Sequence, residues 1–395
     1  MAKKLMVLGG GVSQLPLIRR AKELGLRVIV VSKAGDYPGL LLADSVWEID
    51  TTDAEGIAAA ALREKIDGVC TTGTDVAIPA VGRTAAALGM AGVPYESALL
   101  CSDKRKMKEA LVRSGIRTAP FVTVSNEEEA RAAFERFGAP VMFKAVDGAA
   151  SKGIVRVDSP EHIGYAFSVA MAHTRKREII VEAFIQGVEF GAQAFVYRNK
   201  LMFVLSHGDT MFHGDAGVPV GHYMPLELSA AAQADVERTL VNSVRALGMN
   251  HCAVNADLML CGDEVYVLEI GARAGATCLP ELVSTYLGFD YYEQMIRAAL
   301  GMRPQFPMVQ SAQPCACCLL MSPADGRIAR QAYGGGADPD VLDVSFDYDV
   351  GDTVRRFRIG TDRIGHVIAK GANAAAATAA LERARAAIAI EIDAH

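Results

Sequence analysis

Two carboxylates and an arginine at the far end of one hairpin carry the strongest chemical signal in the sequence. In NADLMLCGDEVYVLEIGARAG, Asp257 and Glu269 sit at the distal ends of two apolar strands. A three-residue loop, Gly262 to Glu264, would set Cys261 against Val265 and Asp257 directly against Glu269, on one face. Like charges that close raise each other's pKa unless a cation lies between them, and hard oxygen donors suit Mg²⁺. Two solvent-exposed strand residues would show the same spacing. Arg273, two residues past Gly271, could hold a phosphate or carboxylate by paired hydrogen bonds.

Three further stretches carry chemistry-bearing residues. In PVMFKAVDGAASKGI, Lys144 ends an apolar strand and precedes a glycine- and alanine-rich loop, where a lysine beside free backbone amides can neutralise phosphate oxygens or simply snorkel from a sheet edge. In VEAFIQGVEF, Glu182 and Glu189 bracket a short linker, which reads equally as a surface hinge. In SHGDTMFHGDAGVPVGHYMP, His207, His213 and His222 stand among glycines, as in a substrate loop or a solvated one. Beyond Arg273 a helix is expected, whose first turn at Ala274 to Thr277 could receive a carboxylate or serve only for packing.

The glycine turn VLGGGVSQLP follows the first strand, yet the third position of a dinucleotide fingerprint is Gln14, and no ribose-binding carboxylate ends RVIVVS. It reads as a tight turn opening a doubly wound sheet. The cluster Cys315-Ala316-Cys317-Cys318 has no further ligands at metal spacing, so it reads as buried strand, and the eight cysteines read as reduced thiols.

Such residues need rigid elements beneath them. At 395 residues the chain exceeds what one core usually supports, and 51% hydrophobic residues supply several. A net charge of −6 without a long basic block argues against nucleic acid as partner. With neither a signal-like start nor a bilayer-length apolar run, a cytoplasmic location without membrane contact is expected.

From Met1 to about residue 95, apolar runs alternate with helical stretches, the pattern of a parallel sheet covered on both faces. In CSDKRKMKEALVRSGI, Ser102 is the expected N-cap, Asp103 falls in the first turn and Gly115 is the stop. Residues 96–303 then alternate strands and helices as α+β, with a hairpin turning at Arg198-Asn199-Lys200. Residues 304–395, with strands in CACCLLMS, TVRRFRIG and GHVIAKG before a closing alanine-rich helix, form a third, smaller α+β region.

Taken in this order, these elements resemble the ATP-grasp superfamily along essentially the whole chain. The resemblance implies a pre-ATP-grasp domain over 1–95, a nucleotide- and metal-binding ATP-grasp domain of two α+β subdomains over 96–303, and a C-terminal region over 304–395 similar to that of the biotin-carboxylase-like branch. Lys104 and Lys144 match the family's phosphate-contacting lysines, and the loop Asp147 to Gly153, including Ser151, Lys152 and Gly153, matches its flap. Glu182, Phe184 and Ile185 match the adenine-binding linker, Glu189 the ribose ligand, Asp257 and Glu269 the Mg²⁺ ligands, and Arg273 the arginine near the transferred phosphate. Gly271 departs from the pattern, since the family usually has a third ligand, asparagine, there.

What the resemblance implies is an ATP-dependent, Mg²⁺-assisted carboxylate–amine ligase, working through an acylphosphate on an amino acid or small acid. A bicarbonate-activating carboxylase and a non-catalytic nucleotide-binding regulator stand as alternatives. A homodimer is the family expectation.

Overall fold

The computed structural model describes residues 2–148, 152–213, 217–307 and 311–394. Ser151 and the His213 side chain lie outside the described residues.

Short β-branched runs build the first layer: β1 (Lys4–Leu8), α1 (Leu15–Glu23), β2 (Arg27–Ser32), β3 (Ser45–Glu48), α2 (Ala54–Glu64), β4 (Gly68–Cys70) and α3 (Ile78–Leu88). The strands pair in parallel in the order β3-β2-β1-β4. Alternate residues feed two cores: Met6, Leu8, Ile29 and Val31 meet α2 and α3, while Leu5, Val7, Val28 and Val30 meet α1. A parallel sheet covered on both faces follows from that uninterrupted apolar pattern. At the glycine turn, Gly9 has φ +94° and Gln14 fills the space beside it. The Gln14 amide accepts from the Gly11 N–H at 3.1 Å and donates to the Thr72 carbonyl at 2.5 Å.

Next come α4 (Tyr95–Cys101) and α5 (Lys104–Arg113). The cap of α5 lies one residue later than expected: Asp103 accepts from the Lys106 N–H at 3.0 Å, whereas the Ser102 hydroxyl donates back to Ala98 in α4 at 2.8 Å. Only Asp103 has the extended backbone of an N-cap, with φ −136° and ψ 105°. Lys104 thereby becomes the first residue of the helix.

A separate antiparallel sheet, ordered β5-β8-β6-β7, comprises β5 (Phe121–Val124), β6 (Val141–Ala145), β7 (Ile154–Val157) and β8 (Ile179–Ala183). Phe143 and Val181 from this sheet bury against Phe134 of α6 (Glu127–Phe137) and Ile163 of α7 (Ile163–Ala172).

The remaining strands are mostly gathered in one large sheet. Its members begin with β9 (Val188–Tyr197), β10 (Lys200–His213) and β11 (Gly217–Met224). After α8 (Ala230–Ala246) follow β12 (Cys252–Cys261), β13 (Glu264–Gly271), α9 (Leu279–Leu287) and α10 (Tyr291–Ala299). The end of the chain contributes β14 (Cys315–Met321), β15 (Gly326–Tyr333), β16 (Val341–Phe346), β17 (Thr353–Val354), β18 (Arg363–Lys370), α11 (Ala374–Ala386) and β19 (Ile388–Ala394). The order β13-β12-β9-β10-β11-β14-β18-β16 runs without a break past residue 304, because β11 pairs with β14 from Gly221–Cys318 to Met224–Cys315. Strands β17, β15 and β19 form a small third sheet, so the chain closes on a strand rather than on the alanine-rich helix. Of TVRRFRIG only Thr353 and Val354 are strand, and the Arg198-Asn199 turn is two residues long, with Lys200 already paired to Tyr197. Cys315, Cys317 and Cys318 are buried in β14, and all eight cysteines are free thiols.

Candidate active site

The hairpin β12–β13 sets two carboxylates face to face by a route the sequence did not suggest. Its loop is Gly262-Asp263, with Cys261 paired to Glu264, which in a regular ladder would bring Asp257 opposite Leu268. A β-bulge adds one residue to β13 at Leu268, and Asp257 pairs with Glu269 after all. Burial and the neighbouring Glu269 push the Asp257 carboxyl up to about 7. That repulsion between neighbouring carboxylates is the electrostatic demand a divalent cation meets, and the donors are hard oxygens, so the pair fits Mg²⁺.

Lysines gather around this pair. Lys104, nearly buried at the start of α5, donates to Glu269 Oε1 at 2.8 Å and to the Gly148 carbonyl at 2.8 Å. Lys144 forms an ion pair with Glu182, whose other oxygen lies 2.8 Å from Lys108 Nζ. Burial would raise the Glu182 carboxyl, but Lys144 and Lys108 outweigh it and hold the group below its ordinary range. Burial lowers the Lys108 ammonium. The Glu182 side chain thus serves the two lysines, and what it offers a ligand in the linker is the backbone that leads into Phe184 and Ile185.

Arg273 makes the paired hydrogen bonds its position suggested, to a carboxylate of the protein itself: Nε reaches Asp75 Oδ1 at 2.8 Å and Nη2 reaches Oδ2 at 2.6 Å. This contact explains Gly271. A Cβ there would lie 2.8 Å from Asp75 Oδ1, so an asparagine would displace the pair. An asparagine does stand across the ladder: Asn255 pairs with Gly271, and its Nδ2 donates to Asp257 Oδ1 at 3.3 Å.

Two adjoining cavities flank the carboxylates. One, of about 520 Å³, has an apolar part formed by Met142, Ile154, Phe184, Ile185, Met259 and Leu268, with Lys144, Arg156, Glu182, Glu189, Asp209 and Asp257 also on its wall. The Arg156 guanidinium lies 4.6 Å from the Phe184 ring centroid. The second, of about 260 Å³, is charged, with Lys104, Lys144, Lys152, Asp257, Glu269 and Arg273 on its wall. Gly153 closes the intervening loop through its carbonyl, which accepts from the Ala145 N–H at 2.9 Å. Each cavity has the size and mixed lining of a small-molecule site.

The described parts of the histidine stretch, up to residue 213 and again from 217, are strand rather than loop. His207 and His222 are buried in β10 and β11, and both Nδ1 atoms contact Asp209 Oδ1, at 2.8 and 2.6 Å. Alternating inward positions on paired strands override the glycine content. Past Arg273, α9 starts only at Leu279, because Thr277 and Cys278 take positive φ, so Ala274 to Thr277 are not a helical turn. Sequence reasoning passed over Asp75, Lys108 and Asp209. Asp75 follows the C-terminal end of a parallel strand, where ligands bind in such sheets, and Lys108 lies one turn from Lys104; both signals were present.

The layers, the carboxylate pair and the lysines define a class: the chain belongs to the ATP-grasp superfamily. Residues 102–277 match the phosphoribosylglycinamide synthetase ATP-grasp (A) domain, and residues 319–393 match the L-amino acid ligase C-terminal domain 2. The phosphoribosylglycinamide synthetase of Anaerococcus prevotii is 32% identical, with all of both chains covered and a TM-score of 0.85. A formate-dependent phosphoribosylglycinamide formyltransferase from Parasynechococcus marenigrum is 27% identical over 98% of this chain and 97% of its own. The L-amino acid ligase of Bacillus licheniformis shares the fold, with a TM-score of 0.83 at 19% identity over 99% of each chain. Among the described residues, no helix is long and apolar enough to cross a membrane.

Proposed function

We propose that this chain is an ATP-dependent ligase that activates a small carboxylate or amino acid as an acylphosphate, releasing ADP, and joins it to an amine. One observation carries the reading: Asp257 lines both cavities and its partner Glu269 lines the charged one, beside Lys104, Lys144 and Arg273. Adenine fits the apolar cavity against Phe184, Ile185 and Met259, Glu189 suits the ribose hydroxyls, and the triphosphate extends toward the lysines. The names of similar proteins also mention formate and an amino acid.

Asp257 and Glu269 would hold Mg²⁺, which supplies charge neutralisation for the phosphates. Lys104 and Lys144 neutralise phosphate oxygens, and need only exchange Glu269 and Glu182 for them. Arg273, freed in part from Asp75, steadies the transferring phosphoryl group. Lys152, on the wall of the charged cavity, adds a further positive charge for the phosphates, and exclusion of water from that cavity would protect the acylphosphate from hydrolysis. Nucleotide and metal binding thus belong to the stretch 96–303, and a homodimer is the expected assembly.

The test is ADP release from MgATP with pooled small acids, amino acids and amines, with and without bicarbonate, followed by mass spectrometry. Stimulation by an acid and an amine together, with a product equal to their sum less water, is expected. Stimulation by bicarbonate alone would replace the reading with a carboxylase, and ATP binding without turnover would replace it with a regulator.

A further inference from the structure

We propose that His207, Asp209 and His222 bind one divalent transition-metal ion, separate from the Mg²⁺ pair, with its open coordination positions facing the cleft. His207 and Asp209 are two apart on β10 and share a face, and His222 is the cross-strand partner of Asp209 on β11. One ligand atom from each lies within 4.8 Å of the others. The two imidazole nitrogens already lie 2.8 and 2.6 Å from the shared carboxylate oxygen. Neighbouring ligands on an ion with bonds of about 2.1 Å are about 3 Å apart, so loading needs only small side-chain shifts.

Two imidazoles and one carboxylate on one side of an ion suit first-row transition metals, whereas Mg²⁺ prefers oxygen alone. Both histidines are buried in their strands, which restricts how far their rings can move. Asp209 lines the apolar cavity and His222 the charged one, so the vacant side of the ion faces the space where a substrate oxygen or amine would lie.

The experiment is equilibrium dialysis of chelator-stripped, untagged protein against Co²⁺ in excess Mg²⁺, with metal analysis and the visible Co²⁺ spectrum. One Co²⁺ per chain is expected. Asp209→Asn and His222→Gln, which each remove a ligand, should weaken binding by at least the roughly hundredfold that loss of an outer-layer partner costs, while Asp257→Asn retains it; circular dichroism checks that the variants are folded. Wild-type protein that takes up no Co²⁺, binding unchanged in both folded variants, or loss confined to Asp257→Asn would overturn the proposal.

Discussion

Asp257 shows how one side chain records the demands of its surroundings. It is crowded by burial and by Glu269, with Asp209 and Glu189 adding to the same field, so its carboxyl titrates at about 7. A proton must leave before a metal ion can bind there. Mg²⁺ affinity should therefore weaken about tenfold between about pH 8 and about pH 6, with release of a proton on binding, as calorimetry in buffers of different ionisation heat would measure. Asp257→Asn should flatten that dependence and abolish ADP formation. Gly271 is the complementary case, where the absence of a side chain is what the structure needs. Gly271→Ala would press a methyl group against the Asp75 carboxylate, and a loss of about 1–3 kcal/mol, seen as a lower melting temperature, is the expected cost of overpacking.

At the scale of elements, the bulge in β13 does two things at once. By doubling Leu268 and Glu269 against Asp257, it aims a carboxylate at the charged cavity and an apolar side chain at the wall shared with the other. The pairing of Asp257 with Glu269 was foreseeable from the strands' apolar pattern, but a three-residue loop was the wrong reason for it. A short turn plus a bulge gives the same sum, and side-chain identity distinguishes the two poorly. Further along the chain, β18 and β16 are tied by His366 Nε2 and Asp343, 2.8 Å apart. Burial works against a charged imidazole, yet the hydrogen bond to Asp343, with the charges of Cys278 and Asp343, outweighs it and pushes the group up to about 9. Because the folded value exceeds the unfolded one, this contribution is full below about pH 6.5 and is lost as pH rises through about 9. The melting temperature should fall across that window, and Asp343→Asn should reduce the fall.

Across the whole molecule, contacts tie distant parts of the chain into one structure. Helix α10 packs Tyr291, Met295 and Ile296 on the face of the N-terminal sheet that α1 also covers, and the Tyr291 hydroxyl donates to the Ala194 carbonyl in β9 at 3.0 Å. The Asp75–Arg273 pair joins the loop after β4 to the end of β13. Strand β14 covers the edge of β11. A fragment ending at residue 303 should therefore expose that edge and aggregate, which light scattering of the purified fragment would show; a soluble, cooperatively melting fragment would refute this.

The residues by themselves determined a good deal. Uninterrupted apolar runs required a parallel sheet with two covered faces, and the order of Lys104, Lys144, Asp257, Glu269 and Arg273 was enough to point to the superfamily. These are local properties, set by side-chain periodicity and chemical type. Tertiary structure alone decided what each charged group faces: Arg273 meets Asp75, 198 positions away, Glu182 holds two lysines, and the histidines of a glycine-rich stretch converge on Asp209 within a sheet. Pairing of that kind depends on which strands become neighbours and in what register, and burial then fixes which charges must find partners.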